Sequence, residues 1–212
     1  MKYIIREPGD PSNRELKAPD MRRARIPERY WQCTIDQIPS ECSFLLKVKN
    51  YLDNLHTYLA DGTGLYLWGD YGRGKTSTAA VIGKAAISRG GRVLFVSGEQ
   101  LKDVLINKPV FDEQETIDKR LYNVDLLIFD DPERGAQGEW SQKAVEEVIR
   151  TRMDNKLATI ISTNIAPKKV STTFGEGLLT TLQRGCALIN VDGPDWSTQF
   201  MNRINKELNS GQ

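Results

Sequence analysis

Residues 69–76 combine three glycines with a lysine and a hydroxyl side chain in the spacing G-x-x-x-x-G-K-T. Glycines let the backbone adopt positive φ and turn its N–H groups toward one point, which makes a nest for anions. In this motif the lysine reaches the β- and γ-phosphates of a nucleoside triphosphate, and the hydroxyl binds Mg²⁺. We therefore predict that ATP and Mg²⁺ bind here, to Gly69, Asp70, Tyr71, Gly72, Arg73, Gly74, Lys75, Thr76 and Ser77.

The segments on either side of this loop suit a phosphate site. Residues 65–68 form a short apolar run, which is typical of a buried strand. Residues 76–89 are rich in Ala and Ile and contain no proline, which favours a helix. A helix that begins at the loop points the positive end of its dipole at a bound phosphate. A chance glycine-rich turn is therefore the weaker interpretation.

Two carboxylates follow another apolar run. Residues 126–129 are continuously apolar, as expected of a parallel strand buried on both faces, and Asp130 and Asp131 come directly after them. We predict that Asp130 holds Mg²⁺ and that Asp131 orients and deprotonates the attacking water. The alternative is a pair of solvated acids at a turn, which the phosphate loop upstream makes less favourable.

A third polar group follows the apolar residues 157–161. Ser162, Thr163 and Asn164 stand at the carboxyl end of this predicted strand. Ligands of open α/β sheets bind at that edge. We predict that Asn164 forms a hydrogen bond to the γ-phosphate or to the attacking water.

Apolar runs alternate with helical patterns along the chain. This alternation predicts a three-layer α/β fold, a P-loop NTPase with a mainly parallel five-stranded sheet. The other strands are predicted at residues 92–97 and 187–191. Further helices are predicted at residues 34–60, 98–107, 112–122, 137–155, 174–183 and 197–208.

The first 30 residues differ from the rest. They contain few apolar residues, several helix-breaking prolines and four clustered arginines, Arg22, Arg23, Arg25 and Arg29. We predict a flexible, basic N-terminal arm at residues 1–30 and an ATPase domain at residues 31–212. The arm is either simply solvated through its charges or contacts a partner or a nucleic acid.

Composition excludes several other classes of protein. No run approaches the ~18–20 apolar residues of a membrane span, and the N-terminus lacks the apolar core of a secretory signal. We therefore expect a cytoplasmic protein that does not contact membranes. One histidine and three scattered cysteines exclude a multi-histidine metal site and form no metal-binding spacing. With a net charge of +1, nucleic-acid binding requires a local patch or several subunits acting together.

In this order, the motifs resemble those of AAA+ ATPases of the bacterial helicase-loader group, the DnaC/DnaI type, whose near relatives include IstB-type transposition helpers. The resemblance covers roughly residues 26–196. It depends on residues 69–76 as Walker A and on residues 126–131 as Walker B, on the lead-in IPERY at residues 26–30, and on Glu139 and Trp140 at the start of a helix. It also depends on residues 162–164 as sensor 1 and on the turn GPDW at residues 193–196.

This resemblance implies a strand order of 5-1-4-3-2, little or no lid domain, and formation of a homo-oligomer with ATP. It also implies binding of single-stranded DNA and delivery or remodelling of a replicative hexameric helicase of the DnaB type. The alternatives are an IstB-type transposition helper and a nucleotide-gated scaffold with little hydrolysis. A small-molecule kinase is disfavoured by the Walker B and sensor pattern and by the lack of an evident lid arginine cluster.

The resemblance also carries roles to single residues. Asn164 matches sensor 1, and Arg184 is the arginine nearest to the place of the family's arginine finger. Arg150 and Arg152 are other candidates for reaching a neighbour's site. Ser197 stands where the family usually has an arginine that reads the nucleotide, and Asp131 stands where many members have glutamate. We therefore expect slow hydrolysis.

Single-stranded DNA contacts are expected in the segment at residues 102–119, which corresponds to the family's pore-facing insertion. Lys102, Lys108 and Phe111 combine positive charge with an aromatic face on which a base can stack. The alternative is that Phe111 packs under the loop.

Overall fold

A computed structural model describes residues 13–101, 119–135 and 138–196. Its centre is one sheet of five parallel strands in the order β2-β3-β4-β1-β5. The predicted order 5-1-4-3-2 is therefore confirmed, read from the other edge. The strands are β1 Gly64–Trp68, β2 Val93–Ser97, β3 Leu126–Asp130, β4 Ala158–Thr163 and β5 Cys186–Asn190.

Helices cover both faces of this sheet. They are α1 Ala18–Arg23, α2 Leu45–Asp53, α3 Leu55–Asp61, α4 Lys75–Ser88, α5 Pro132–Gly135, α6 Glu139–Asp154, α7 Val170–Phe174 and α8 Glu176–Gly185. Residues 98–101 and 119–121 are also helical. The predicted final helix at residues 197–208 lies outside the described residues. Within the described residues, none of the helices is both long and apolar enough to cross a membrane.

The core has two halves because neighbouring residues of a strand point to opposite faces. Leu65 and Leu67 of β1 belong to one half, with side chains from α2, α3 and α4. Tyr66 belongs to the other half, with side chains from α6, α7 and α8. All five residues of β3 are buried, as the continuous apolar run predicted. The predicted three-layer α/β fold is confirmed.

The N-terminal segment differs from the expected flexible arm. Met21, Ala24 and Ile26 are buried in the core half that contains α4. The Phe95 amide of β2 donates a hydrogen bond to the Ala24 carbonyl at 2.8 Å, so this segment covers the outer edge of the sheet. The part of the arm from α1 onward is thus a packed element of the domain. The sequence did not predict this packing, because the three apolar residues are surrounded by arginines and do not recur with the period of a helix or a strand.

The single helix predicted at residues 34–60 is two helices. A short 3₁₀ turn, Ile35–Gln37, comes first, and α2 begins only at Leu45. Asn54, with φ −103°, separates α2 from α3. The apolar residues of both helices keep the predicted spacing, so the pattern identified the buried side chains but not the break.

Candidate nucleotide site

The carboxyl ends of four strands meet at one edge of the sheet. Because β3, β4, β1 and β5 are neighbours in this order, the segments that follow them lie side by side. The glycine loop follows β1, Asp131 follows β3 and Asn164 follows β4. A cavity of about 250 Å³ lies at this edge, lined by Tyr30, Tyr71, Gly72, Arg73, Gly74, Lys75, Thr76, Ser77, Asp131, Asn164 and Trp196.

The glycine loop has the backbone that its sequence requires. Gly72 and Gly74 have φ of 73° and 90°, in the left-handed region. Gly69 has φ 151°, and a Cβ there would lie 2.5 Å from the Val191 carbonyl oxygen. Helix α4 begins at Lys75, directly after the loop. The N–H groups of the loop and the helix N-terminus therefore share one concave surface that suits an anion.

The Lys75 side chain spans the site. Its Nζ donates hydrogen bonds to the Gly69 carbonyl at 2.9 Å, the Asp70 carbonyl at 2.7 Å and the Asn164 Oδ1 at 2.7 Å. Burial lowers the pKa of Lys75, while the nearby carboxylates of Asp131 and Glu133 act in the opposite direction. The ammonium group is thus held between the glycine loop and the end of β4, where a phosphate can compete for it.

Thr76 and Asp130 form the part of the site that suits a metal. The Thr76 hydroxyl donates to Asp130 Oδ1 at 2.8 Å, and the Ser162 hydroxyl donates to the same oxygen. Burial raises the pKa of Asp130, and these two hydrogen bonds oppose the rise. Among the described residues, no group of three or more His, Cys, Asp or Glu side chains is arranged to hold a metal. Mg²⁺ suits the site because it takes few protein oxygens beside phosphates and waters.

Asp131 sits in an unusual conformation beside Asp130. Its φ is 47°, and its backbone N–H donates to the Ser162 carbonyl at 2.8 Å. Its carboxylate pairs with Arg134 Nε at 3.2 Å and accepts from Asn164 Nδ2 at 3.4 Å. Burial, and then the negative charges of Asp130 and Glu133, raise the pKa of Asp131 to about 6. A carboxylate with this pKa is a better proton acceptor than an ordinary aspartate.

Glu133 belongs to the site although the sequence did not single it out. Its Oε1 accepts hydrogen bonds from the Asn164 backbone N–H at 3.0 Å and from Asn164 Nδ2 at 3.2 Å. Its Oε2 accepts from the Thr163 hydroxyl at 2.8 Å. Glu133 therefore orients Asn164 so that the amide oxygen faces Lys75. The expected strand order already placed β3 beside β4, but it does not show that this glutamate, two residues after Asp131, turns toward the end of β4.

A second, more apolar cavity adjoins the glycine loop. It has a volume of about 540 Å³ and is lined by Cys33, Thr34, Gln37, Ile38, Phe44, Arg73, Gly74, Ser77, Thr78, Val81 and Trp196. The backbone N–H of Trp196 donates to the Gly72 carbonyl at 2.9 Å, and Arg73 Nη1 donates to the Gly193 carbonyl at 2.9 Å. These two bonds attach the turn at residues 193–196 to the loop. An apolar, aromatic cavity beside a phosphate loop suits a purine base. Sequence reasoning noted the turn but missed this cavity.

The three arginines expected to act on a neighbouring subunit do not line the nucleotide cavities of this chain. Arg184 is exposed at the end of α8, just before β5 begins. It is therefore at the opposite edge of the sheet from the glycine loop, about 16 Å away along a five-residue strand. Arg150 is exposed and pairs with Glu146. Arg152 is fully buried, so it does not reach a neighbouring subunit.

Arg152 instead holds the interior together. It donates hydrogen bonds to the carbonyls of Leu121, Val124 and Ala158 and to the Thr159 hydroxyl.

The predicted DNA contacts Lys102, Lys108 and Phe111 lie outside the described residues.

Comparison with known proteins gives a family and a set of similar folds. Residues 59–189 match the family described as the bacterial DnaA ATPase domain. The chain is 29% identical over 138 residues to the chromosomal replication initiator protein DnaA of Corynebacterium jeikeium strain K411. That alignment covers 64% of this chain and 23% of the relative. The chain thus spans about a quarter of the length of the curated relatives that it matches.

Two solved structures show the same fold. The DnaC helicase loader superposes with a TM-score of 0.67 at 22% identity, over 77% of this chain and 99% of the loader. A replication initiator DnaA bound to AMPPCP and single-stranded DNA superposes with a TM-score of 0.64 at 20% identity, over 84% of this chain and 56% of the initiator. The AAA+ type of P-loop fold expected from the sequence is confirmed.

Proposed function

The chain belongs to the family of bacterial DnaA ATPase domains, and on that premise we propose that it is an ATP-dependent DNA replication factor of the helicase-loader kind. The observation that carries the nucleotide chemistry is the 2.8 Å hydrogen bond between Thr76 and Asp130. It joins the glycine loop of β1 to the end of β3, which is where a magnesium–phosphate complex requires a hydroxyl and a carboxylate together.

Each side chain at this edge has a part in the proposed hydrolysis of ATP. Lys75 and the loop N–H groups bind the phosphates, and Thr76 and Asp130 would hold Mg²⁺, which neutralises the phosphate charge when bound. Asn164 orients the attacking water or the γ-phosphate. Asp131 accepts the proton of that water, as its raised pKa favours.

The proposed biological role goes further than the chemistry. With ATP the chain assembles into a homo-oligomer, in which Arg184 of one copy approaches the nucleotide of the next. The assembly binds single-stranded DNA and delivers or remodels a hexameric helicase of the DnaB type. Support comes from the fold shared with the DnaC helicase loader and with a DnaA structure that contains single-stranded DNA.

Binding of a fluorescent single-stranded oligonucleotide, followed by anisotropy, tests this role. The full chain is measured with Mg-ATP, with Mg-ADP and without nucleotide, at low and moderate salt. Tight binding that requires ATP supports the loader. A duplex competitor that displaces the oligonucleotide would instead favour an IstB-type transposition helper. Absence of binding in every state would contradict both roles.

A nucleotide-gated scaffold is a second candidate, favoured by the ion pair between Asp131 and Arg134. This pair restrains the carboxylate that should accept the proton, so ATP is bound for long periods and hydrolysed slowly. Arg134→Gln should then raise the turnover number several-fold without changing the Kd for ATP. Turnover equal to that of the wild type would show that Arg134 does not limit hydrolysis.

A further inference from the structure

The segment at residues 26–33 packs against the phosphate-loop helix α4, although it lies upstream of residues 59–189, which match the family model. Ile26 is buried in the core, and Trp31 Nε1 donates to the Ile26 carbonyl at 2.8 Å. Lys84 of α4 donates to the Trp31 carbonyl at 2.7 Å and to the Cys33 carbonyl. These bonds at both ends fix the short 3₁₀ turn Glu28–Tyr30 between them.

Tyr30 of this turn faces the metal side of the site, and the exposed Arg29 stacks on its ring. Tyr30 lines the phosphate cavity together with Thr76 and Asp131. The Arg29 guanidinium carbon lies 4.7 Å from the centre of the Tyr30 ring, a stacked arrangement that holds its charge in place.

The charges of the site agree with this placement. Burial raises the pKa of Asp130, and the positive charge of Arg29 is among the influences that lower it again. Burial likewise raises the pKa of Tyr30, which interacts with the side chains of Arg29 and Thr76. Arg29 is therefore within electrostatic reach of the carboxylate that would hold Mg²⁺.

The other cations around the cavity are already engaged. Lys75 donates to three oxygens, Arg134 pairs with Asp131, and Arg73 bonds the Gly193 carbonyl. Asp130, Asp131 and Glu133 add negative charge at the same edge. A triphosphate adds a γ-phosphate, with its negative charge, beyond the two phosphates that a diphosphate also has, so a further cation at that end acts mainly on the triphosphate.

We infer that Arg29 and Tyr30 complete the terminal-phosphate side of the ATP site within the same chain. Arg29 supplies positive charge to the γ-phosphate, and Tyr30 supports the Thr76 hydroxyl at the metal position. Lys84 is a positioning residue, because it anchors the segment that carries both. The inference depends on the proposed binding of ATP, and it makes this segment the element that distinguishes ATP from ADP.

The test compares affinities of the full chain for Mg-AMPPCP and Mg-ADP by calorimetry. Arg29→Gln should raise the Kd for AMPPCP about tenfold or more and the Kd for ADP about threefold at most, since a lost charge-assisted hydrogen bond has an effect of this size. Arg23→Gln is the matched control, because it removes another exposed arginine charge, from α1, and it should leave both constants within about twofold.

Three results would overturn the inference. Equal losses for both ligands in Arg29→Gln would show a general structural effect, and unchanged constants would show no contact with phosphate. A wild type that binds neither ligand would contradict the proposed function itself, and the inference with it.

Lys84→Met adds an independent variant. It should lower the preference for AMPPCP over ADP in the same direction as Arg29→Gln, because the segment loses its anchor while the Arg29 side chain is intact. A lower melting temperature with an unchanged preference would contradict the positioning role of Lys84.

Discussion

At the scale of single residues, Asp131 combines two opposing properties. Its raised pKa of about 6 suits a proton acceptor, yet below that pH the carboxyl is protonated and cannot accept a proton. We expect ATP turnover to fall as pH decreases through about 6, because the base is lost. Asp131→Asn should bind ATP as the wild type does and show no turnover. Steady-state rates of ATP hydrolysis from pH 5 to 8 measure this dependence. Turnover equal to that of the wild type in Asp131→Asn would show that another group accepts the proton.

The same shift predicts a change in stability. Because the folded-state pKa of Asp131 is raised, its stabilising contribution is present at low pH and is lost as pH rises through about 6. Ligand-free Asp131→Asn should therefore be more stable than the wild type at pH 8 by about 1–2 kcal/mol, and the difference should shrink near pH 5. This is less than the full shift implies, because the side chain is 23% exposed.

Urea unfolding at the two pH values measures this effect, with the exposed Asp36→Asn as a control for the change to an amide. A variant less stable than the wild type at pH 8 would show that the pairing with Arg134 outweighs the burial of the charge and its repulsion from Asp130 and Glu133.

Arg152 illustrates a buried charge with a structural purpose. Its guanidinium bonds three backbone carbonyls and one hydroxyl, and burial lowers its pKa to about 9. Arg152→Met would leave those carbonyls without donors, so we expect the free energy of unfolding to fall by about 3 kcal/mol or more. Arg150 is exposed, so Arg150→Ala should lower the free energy of unfolding by at most about 1 kcal/mol. Similar losses for the two variants in urea unfolding would contradict this role.

At the scale of elements, the turn at residues 193–196 connects the glycine loop to the apolar cavity. Trp196 lines that cavity and packs against Gly74, where a Cβ would lie 3.2 Å from its indole nitrogen. Nucleotide binding should therefore change Trp196 fluorescence, and Trp196→Phe should lose this signal and bind ATP roughly fivefold or more weakly. Trp68 packs against the core half that contains Tyr66 and does not line the apolar cavity, so Trp68→Phe should keep the signal. A fluorescence change that persists in Trp196→Phe would show that the purine base binds outside this cavity.

The elements also show what a sequence can and cannot predict. The glycine loop and β3 were predictable because their information is local: fixed glycine spacing in one case and a continuous apolar run in the other. Glu133 was not, because the expected strand order places β3 beside β4 but does not show which side chain after β3 contacts Asn164. The apolar cavity was not either, because Ile38, Val81 and Trp196 come from three separate parts of the chain.

At the scale of the whole molecule, nucleotide binding should stabilise the fold, since the site joins segments from β1, β3 and β4. At 100 times its Kd, Mg-ATP should add ~2.7 kcal/mol and raise the melting temperature by about 5–10 °C. Lys75→Ala should melt at the same temperature with and without Mg-ATP. A wild-type melting curve that saturating Mg-ATP does not move would contradict nucleotide binding.

The Ala24 contact on β2 determines which segment of the chain has to be moved as one unit into another protein. The match to the family model begins at residue 59, but Ala24 covers the edge of β2, and Phe44 and Val48 fill the core before that point. A fragment that begins at residue 59 would leave the edge of β2 uncovered, and an uncovered edge strand can pair with the edge strand of another molecule. Such a fragment would self-associate whether or not ATP is present. The unit that gene fusion or shuffling must transfer intact is therefore longer than residues 59–189, which match the family model.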